Sequence, residues 1–231
     1  MTFALKNMVS LHYRDHCEVR FYKDDRGQLS ATIDTDRLHI ESLGPQNDNP
    51  RSTEETHALY ASLYGNTEVM EKFAGGKTKS PEDTAKLVNN WIKRWQSGDP
   101  FGGMAIYLKE TGEFVGHIVL GHGDNPGESS LAGLGNARFW NSGYGTEAAV
   151  ALVEDFAPLT VQEDYRFLIT DKDGQVSKPL LNKIAATAKT DNGASVAILS
   201  KKLKMKDAGI WEEHGAPRHH FFKEISDQKS S

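Results

Sequence analysis

Apolar and polar residues alternate in the early part of the chain with a period of two, which is the pattern of half-buried strands. From Cys17 to Phe21 every second residue is apolar, and a similar run follows the turn-forming residues 24–27. This pattern predicts a hairpin over residues 17–34. Residues 1–16 show little periodicity, so we expect them to form a loosely attached arm or a short helix.

Two later segments carry apolar residues at the spacing of one helix face. Ser52 and Glu55 have the spacing of a capping box, in which each side chain hydrogen-bonds the backbone N–H of the other residue. They predict a helix that begins there. Ser80 followed by Pro81 predicts the start of a second helix, which we expect to end near residue 97.

Further strands are predicted where short apolar runs lie between turn-forming residues. They occupy residues 37–43, 104–108, 114–120, 129–135 and 184–188, and two more lie within residues 203–225. After Pro158 the chain is polar over residues 159–183, where residues 171–174 predict a turn and residues 165–169 favour a strand. Strands and helices in this order predict an α/β protein with a central sheet.

The segment from Phe139 to Ala148 is a short, polar turn with two glycines that leads directly into an apolar-periodic helix. Gly143 and Gly145 lack a Cβ, so the backbone can turn sharply and approach a ligand closely. The first N–H groups of the helix have no intrahelical partner and lie at the positive end of the helix dipole. The pattern therefore predicts that a phosphate-bearing cofactor binds at this turn.

Composition and charge narrow the possible partners. The 231 residues are 38% hydrophobic and 26% charged, which is ordinary for a globular protein, and the net charge of -5 disfavours nucleic acid as the main partner. No apolar run approaches the roughly 18 residues of a membrane span and the N-terminus lacks a signal-peptide pattern, so we expect no membrane partner. Cys17 is the single cysteine, which excludes an intrachain disulfide and fits a cytoplasmic protein.

His12, His16 and Cys17 lie close together in the sequence and are residue types that bind metals. A zinc site needs a third or fourth ligand at recognisable spacing, and the sequence offers none. We therefore interpret these side chains as scattered surface residues and predict no metal site.

Four short segments of the chain occur in the order that is found in one known family. They are Thr35–Leu38, Thr111–Gly116, Phe139–Ala148 and Asp191–Ser195. Together they make residues 35–225 resemble a GCN5-related N-acetyltransferase (GNAT) of the RimJ/RimL type. The resemblance implies the GNAT-type fold, an α/β (α+β) arrangement in which a central, mixed and splayed, mostly antiparallel sheet is flanked by helices.

The resemblance also divides the chain. Residues 1–34 lie outside the family pattern and are expected to form an N-terminal extension that contains the predicted hairpin. Residues 35–225 would form the acetyltransferase domain, in which residues 159–183 are longer than the usual connection and count as an insertion. Residues 226–231 are polar and are expected to be a frayed tail.

The function that the resemblance implies is transfer of an acetyl group from acetyl-CoA, as co-substrate, to a primary amine. The amine would attack directly while both substrates are bound, and it could belong to a small molecule or to a protein N-terminus. The protein would be a monomer or a homodimer. Residues 46–80 and 159–183, where the resemblance is weakest, are expected to select the acceptor.

The resemblance assigns the phosphate-binding turn to coenzyme A. The backbone N–H groups of residues 141–146 would hold its pyrophosphate, and residues 134–136 would run beside its pantetheine arm. The implied cofactor-binding residues are Leu134, Gly135, Asn136, Trp140, Asn141, Ser142, Gly143, Tyr144, Gly145, Thr146, Asn192 and Ser195.

The catalytic residues that the resemblance implies are Ser195 and Glu128. Ser195 would give a proton to the leaving thiolate, although a serine at a helix start can equally serve the helix backbone. Relatives often carry a glutamate at the place that Ser130 occupies here, so the nearby Glu128 would act as the base, with a solvated loop carboxylate as the alternative. His117 and His122 are other possible bases.

Two other functions remain open on the sequence. A relative that has lost its base would be an acyl-CoA-binding module without catalysis, which the serine at position 130 allows. Gly143, Gly145 and Ala148 also fit a dinucleotide-binding fingerprint, with Asp164 at the expected distance. That fingerprint should follow a buried strand, and the residues before Gly143 do not have that character.

Overall fold

The computed structural model describes residues 7–44, 52–167, 169–170 and 175–225 of the chain. Its strands are β1 (Asn7–Arg14), β2 (Cys17–Lys23), β3 (Leu29–Asp34), β4 (Leu38–Ser42), β5 (Gly103–Leu108), β6 (Phe114–His122), β7 (Glu128–Gly135), β8 (Ile169–Thr170), β9 (Val176–Ser177), β10 (Lys183–Lys189), β11 (Lys206–Glu213) and β12 (Ala216–Glu224). Its helices are α1 (Thr53–Tyr64), α2 (Thr67–Glu71), α3 (Pro81–Gln96), α4 (Tyr144–Val150), α5 (Ala157–Gln162) and α6 (Gly193–Ala197). π-helical turns extend α4 through Ala151–Phe156 and α6 through Ile198–Lys202.

Ten strands form one sheet in the order β1-β2-β3-β4-β5-β6-β7-β10-β12-β11. Neighbouring strands are antiparallel, except that β7 and β10 run parallel. β8 and β9 form a separate two-stranded sheet. Helices α1 and α3 pack together and contact the main sheet, and α4 contacts its central strands. The expected mixed, mostly antiparallel sheet flanked by helices is therefore confirmed.

Strands β7 and β10 are paired along only a short part of their length. Their parallel register covers residues 128–130 of β7 and 183–185 of β10. Beyond these residues β7 pairs only with β6, and β10 pairs only with β12. The two strands therefore separate in the middle of the sheet, as the splayed sheet of the resembled family requires.

The N-terminal part of the chain extends the main sheet. β2 and β3 form the predicted hairpin, and their Val19, Phe21 and Ile33 side chains are fully buried. The expectation of an arm or a short helix for residues 1–16 is wrong over the described part, because Asn7–Arg14 is an edge strand paired with β2. Most of its side chains are exposed, so the strand does not need an apolar residue at every second position. The alternation that would mark a strand is therefore absent from the sequence.

Both predicted helix starts are confirmed by their capping bonds. At α1, the Ser52 hydroxyl accepts the Glu55 N–H at 3.1 Å and the Glu55 carboxylate accepts the Ser52 N–H at 2.7 Å. At α3, the Ser80 hydroxyl accepts the Asp83 N–H at 3.1 Å, and Pro81 lies in the first turn. The caps satisfy N–H groups of the first turn and so fix where each helix begins.

The helix that precedes the polar stretch does not end at Pro158. The helix that begins at Tyr144 continues through its π-helical turns and α5 to Gln162, and Leu159 and Val161 belong to the core. A proline interrupts a helix because it lacks an N–H group. Pro158 lies in the first turn after the π-helical segment, where the hydrogen-bond pattern already changes and the missing N–H is tolerated.

The remainder of the predicted insertion contains little regular structure. An isolated bridge joins Arg166 to Leu180, and β8 and β9 are two residues long each, so the strand expected near residue 167 is largely replaced by irregular chain. The turn predicted at residues 171–174 and the tail at 226–231 lie outside the described residues. None of the helices in the described ranges has the length and apolar character needed to cross a membrane.

His39 forms an electrostatic link between β4 and β3. Its Nδ1 lies 2.8 Å from Asp34 Oδ1 on β3, and its Nε2 lies 3.5 Å from Glu41 Oε2. Hydrogen bonds with Asp34 and Glu41 raise the pKa of His39 from 6.5 to about 9, against the opposing effect of burial. The imidazole is therefore protonated and ion-paired at neutral pH.

We predict that His39→Gln destabilises the protein in a pH-dependent manner. Because the pKa of His39 is higher in the folded state, its protonated form stabilises the fold fully below pH 6.5, and this contribution disappears as the pH rises through about 9. The difference in free energy of unfolding between wild type and H39Q, from urea titrations, should shrink over that interval. A constant difference would contradict the assignment. His57→Gln is the control, since His57 faces the uncharged Asn89 side chain.

Candidate active site

The separation of β7 and β10 opens a continuous cleft of about 1280 Å³. Ligand pockets usually measure about 300–1,000 Å³, so this cleft has room for more than one molecule. Its walls include residues 130–136 and 185–188 of the two separating strands. The turn before α4, the start of α6, part of β12 and the connection after α2 also border it.

The turn before α4 has the open backbone that the sequence predicts. Asn141 (φ +62°) and Gly143 (φ +83°) are both in the left-handed region, and Gly143 is the N-cap of α4. The N–H groups of residues 141–143 form no backbone hydrogen bond with any described residue, and the first N–H groups of α4 lack intrahelical partners as at any helix start. A continuous run of N–H groups is thus available to an anion.

Arg37, just before β4, connects this turn to the sheet through hydrogen bonds. Its Nη1 donates to the Ser142 carbonyl at 2.9 Å, and its Nε donates to Glu147 Oε2 at 2.7 Å. Thr35 Oγ1 donates to the other Glu147 oxygen at 2.6 Å. Two of the four segments that resemble the family, Thr35–Leu38 and Phe139–Ala148, are therefore in contact. Sequence reasoning missed this contact because no local pattern links residues 110 positions apart.

The connection between β7 and the turn is folded back on the strand. Asn136 Oδ1 accepts a backbone N–H of its own turn at 3.2 Å, and the Trp140 indole N–H donates to the Gly135 carbonyl at 2.9 Å. All of the predicted cofactor-binding residues line the cleft except Ser142, whose carbonyl instead binds Arg37. The structure thus brings together residues from β7, the turn and α6 that are distant in sequence.

The start of α6 is capped by Asn192. Its Oδ1 accepts the Ser195 N–H at 3.2 Å, and its Nδ2 donates to the Lys72 carbonyl at 3.4 Å. The alternative in which Ser195 itself caps the helix is therefore wrong, because Asn192 fills that role. The half-buried Ser195 side chain lines the cleft.

Glu128 is the first residue of β7 and is buried, so the alternative of a solvated loop carboxylate is wrong. Lys183 Nζ lies 2.5 Å from Glu128 Oε2, and Asn125 Nδ2 donates to the same oxygen at 3.1 Å. Burial alone would raise the pKa of Glu128, but the hydrogen bonds from Lys183 and Asn125 hold this pKa below its usual value. Glu128 is consequently ionised and weakly basic.

The two histidines that were considered as bases have different surroundings. His117 is buried among the rings of Tyr60, Tyr64 and Trp91, and its Nε2 lies 2.8 Å from Tyr64 Oη. Burial lowers the pKa of His117 to about 3, so it is neutral at physiological pH. His122 is not part of the cleft lining, and its Nε2 lies 2.8 Å from Asp99 Oδ2.

A group of side chains on β11 and β12 also borders the cleft, and sequence reasoning missed it. It consists of Trp211, Glu213, Arg218 and His220. Arg218 and His220 lie two positions apart on β12 and therefore share one face of the sheet. The alternating polar residues of the predicted strand were the available sign that one of its faces is functional. Only the order of the strands in the sheet shows that this face borders the cleft.

The dinucleotide-binding alternative does not fit this geometry. The residues before Gly143 form a 3-10 turn and a loop, whereas the fingerprint requires a buried strand at that place. Asp164, the acid at the expected distance, lies just beyond α5 and pairs with Arg166 Nη2 at 2.6 Å. No cluster of three or more metal-binding side chains occurs within the described ranges.

Solved acetyltransferase structures share this fold. A GNAT-family acetyltransferase from Bacillus anthracis is 18% identical, with a TM-score of 0.60 over 84% of this chain and 98% of that chain. An acetyltransferase from Agrobacterium tumefaciens is 20% identical, with a TM-score of 0.58 over 83% of this chain and 93% of that chain. RimL, a ribosomal L7/L12 alpha-N-protein acetyltransferase in complex with coenzyme A, is 15% identical, with a TM-score of 0.59 over 84% and 97%.

The chain therefore has the fold of these acetyltransferases, and the sequence match identifies its family. Residues 49–206 match the model of the acetyltransferase (GNAT) domain. This match spans more than half of the chain, so the chain belongs to the GNAT family. The family inferred from the four segments is confirmed, and with it acetyl-CoA-dependent acetyl transfer, with acetyl-CoA as the co-substrate. No curated protein matches this chain.

We predict that Arg37→Met weakens acetyl-CoA binding by about 3- to 10-fold, because the turn loses charge-assisted hydrogen bonds that are partly exposed to solvent. The dissociation constant from isothermal titration calorimetry checks this. Arg26→Met, an exposed arginine in the β2–β3 turn, is the matched control and should leave the constant unchanged. Equal affinities of wild type and R37M would mean that the turn needs no such anchor.

Proposed function

We propose that this chain is an N-acetyltransferase that transfers the acetyl group of acetyl-CoA to a primary amine by direct attack, with both substrates bound together in the cleft. The observation that carries the proposal is the separation of β7 and β10, which makes one continuous cleft of about 1280 Å³. A cofactor entering along the strands and an amine arriving past β12 would meet within it.

The cofactor would use the backbone on one side of the cleft. We propose that the N–H groups of residues 141–146 bind the pyrophosphate and that residues 134–136 lie beside the pantetheine arm. The left-handed conformations of Asn141 and Gly143 support this, since they leave consecutive N–H groups without backbone partners. Trp140 and Asn192 border the same space and would contact the cofactor from its two sides.

The reaction requires few chemical groups. The amine nitrogen forms a bond to the thioester carbonyl carbon, the carbon–sulfur bond breaks, the nitrogen loses a proton, and the thiolate of coenzyme A gains one. Most of the acceleration can come from holding the two substrates in position. The products are the N-acetylated amine and the free thiol of coenzyme A.

Ser195 is the proposed proton donor to the thiolate. Its N–H is used by the Asn192 cap, while no hydrogen bond of its hydroxyl is found among the described residues. Glu128 is the proposed base, acting through water. Its ion pair with Lys183 makes it less basic than an unpaired carboxylate, so its contribution should be the smaller one.

A second candidate function is an acyl-CoA-binding module without catalysis. The ion pair of Glu128 and the serine at position 130 favour it, because no unpaired carboxylate occupies the place where relatives often carry a glutamate. Release of free coenzyme A with a panel of primary amines distinguishes the two functions. Binding of acetyl-CoA with no thiol release from any amine would identify the module.

We predict that Gly143→Asp abolishes measurable acetyl-CoA binding, because it places a carboxylate and its bulk in the turn that faces the pyrophosphate. Calorimetry with acetyl-CoA tests this. Gly112→Asp is the matched control, since Gly112 has a similar φ of +70° and open space around it but lies outside the cleft lining. If G143D bound acetyl-CoA as tightly as wild type, the turn would not hold the cofactor.

Ser195→Ala should lower kcat about 100-fold or more and change the acetyl-CoA dissociation constant little, since general acid catalysis typically contributes a factor of about 100 or more. Steady-state release of coenzyme A with a responsive amine from the panel measures the first effect, and calorimetry measures the second. Ser200→Ala provides the control, because the Ser200 hydroxyl is bound to the Val196 carbonyl of its own helix. Unchanged turnover of S195A would remove Ser195 from the mechanism.

A further inference from the structure

One buried charge beside the cleft has no ion-pair partner in the part of the chain that the structure describes. Among the described residues, the buried carboxylates Glu41, Glu128 and Asp155 each pair with a basic side chain. Arg218 is only 5% exposed, yet no described carboxylate forms an ion pair with it. Buried arginines are rare unless their charge is paired. The position of Arg218 in the cleft lining therefore points to an anionic partner from outside the chain.

The guanidinium of Arg218 is held rigidly by neutral groups. Its Nε donates to Thr187 Oγ1 at 2.8 Å, its Nη2 to the Thr187 carbonyl at 3.3 Å, and its Nη1 to the Ala74 carbonyl at 3.4 Å. These contacts orient the group without forming an ion pair, Glu213 acts on it only through space, and further N–H donors stay unused. A planar fork of N–H donors is the arrangement that binds a carboxylate through two parallel hydrogen bonds.

Two hydrogen-bond acceptors, from Glu213 and His220, lie on the same face of the sheet as Arg218. Glu213 Oε2 and His220 Nε2 are 3.7 Å apart, and each atom is buried without a hydrogen-bond partner in the described residues. The His220 ring is fixed by stacking on Trp211, with ring centres 3.5 Å apart and planes 15° apart. Buried polar atoms normally have partners, and the N–H groups of an amine could serve both atoms at once.

The protonation states of Arg218 and His220 fit a cationic group on one side and a hydrogen-bond acceptor on the other. Burial lowers the pKa of His220, Arg218 lowers it further, and Glu213 and Asp207 act in the opposite direction, so the net shift leaves His220 neutral near pH 7 and able to accept a hydrogen bond. Burial lowers the pKa of Arg218 and the charge of Glu213 acts in the opposite direction, and an arginine remains charged in any protein environment. One cationic pole and one hydrogen-bond-accepting pole thus border a single cleft.

We infer that the acceptor is a small zwitterionic amine such as a free α-amino acid, whose carboxylate binds Arg218 and whose amino group lies against Glu213 Oε2 and His220 Nε2. This inference rests on the proposed function and names its substrate class. A protein N-terminus has the amino group, but its α-carboxyl is an amide that cannot neutralise Arg218. The unpaired arginine therefore favours a small-molecule acceptor over a protein N-terminus.

The test compares acceptors with and without the α-carboxylate. Because amidation also lowers the pKa of the α-amine, kcat/KM is expressed per concentration of unprotonated amine. Wild-type protein with saturating acetyl-CoA is offered L-phenylalanine, L-methionine and L-lysine, each beside its own α-amide, and free coenzyme A is measured. We expect kcat/KM to be about 10- to 100-fold higher for at least one amino acid than for its amide, the loss typical of a charged hydrogen bond. Amides that are used as well as or better than every amino acid would overturn the inference and leave the proposed function intact.

Arg218→Met should abolish the preference by lowering kcat/KM for the amino acid while that for the amide stays unchanged. An unchanged preference in R218M would also overturn the inference. Arg166→Met is the matched control, because Arg166 is exposed and pairs with Asp164. Calorimetry with acetyl-CoA confirms that each variant is folded. Absence of coenzyme A release with every amino acid and amide would overturn the inference, and absence of release with the whole panel of primary amines as well, despite normal acetyl-CoA binding, would overturn the proposed function too.

Discussion

The short parallel contact between β7 and β10 is the constraint on which the rest of the structure depends. Each strand keeps one neighbour, but beyond Ser130 and Ala185 neither is paired on the side that faces the cleft. Backbone N–H and C=O groups without partners are costly when buried, so they require water or a ligand. A pantetheine arm suits this place, because its amides can both donate and accept hydrogen bonds.

Both walls of the cleft are held by arginines that bridge distant parts of the chain. On one side Arg37 joins the turn before α4 to the sheet through Ser142 and Glu147. On the other side Arg218 joins β12 to β10 through Thr187 and reaches the connection after α2. Arg37 forms an ion pair with Glu147, whereas Arg218 has no ion pair with any described carboxylate and feels the charge of Glu213 only through space. This difference is the reason for inferring a ligand at Arg218 and a purely structural role for Arg37.

Local sequence patterns predicted those elements whose ends carry their own signals. The capping box of Ser52 and the Ser80–Pro81 start mark helices because the bonds involved span only a few residues. The patterns failed where tertiary context overrides a local rule. The edge strand at residues 7–14 needs no alternation because it is mostly exposed, and Pro158 is tolerated because the helix changes its hydrogen-bond pattern just before it.

The sequence by itself determined the family, the co-substrate and the turn that precedes α4, because four short segments and two glycines carry that information locally. Only the tertiary structure decided which side chains meet. It paired Glu128 with Lys183, and it brought Arg218 and Glu213 to the cleft. These contacts depend on strand order and register, which set neighbours across the sheet irrespective of their distance along the chain.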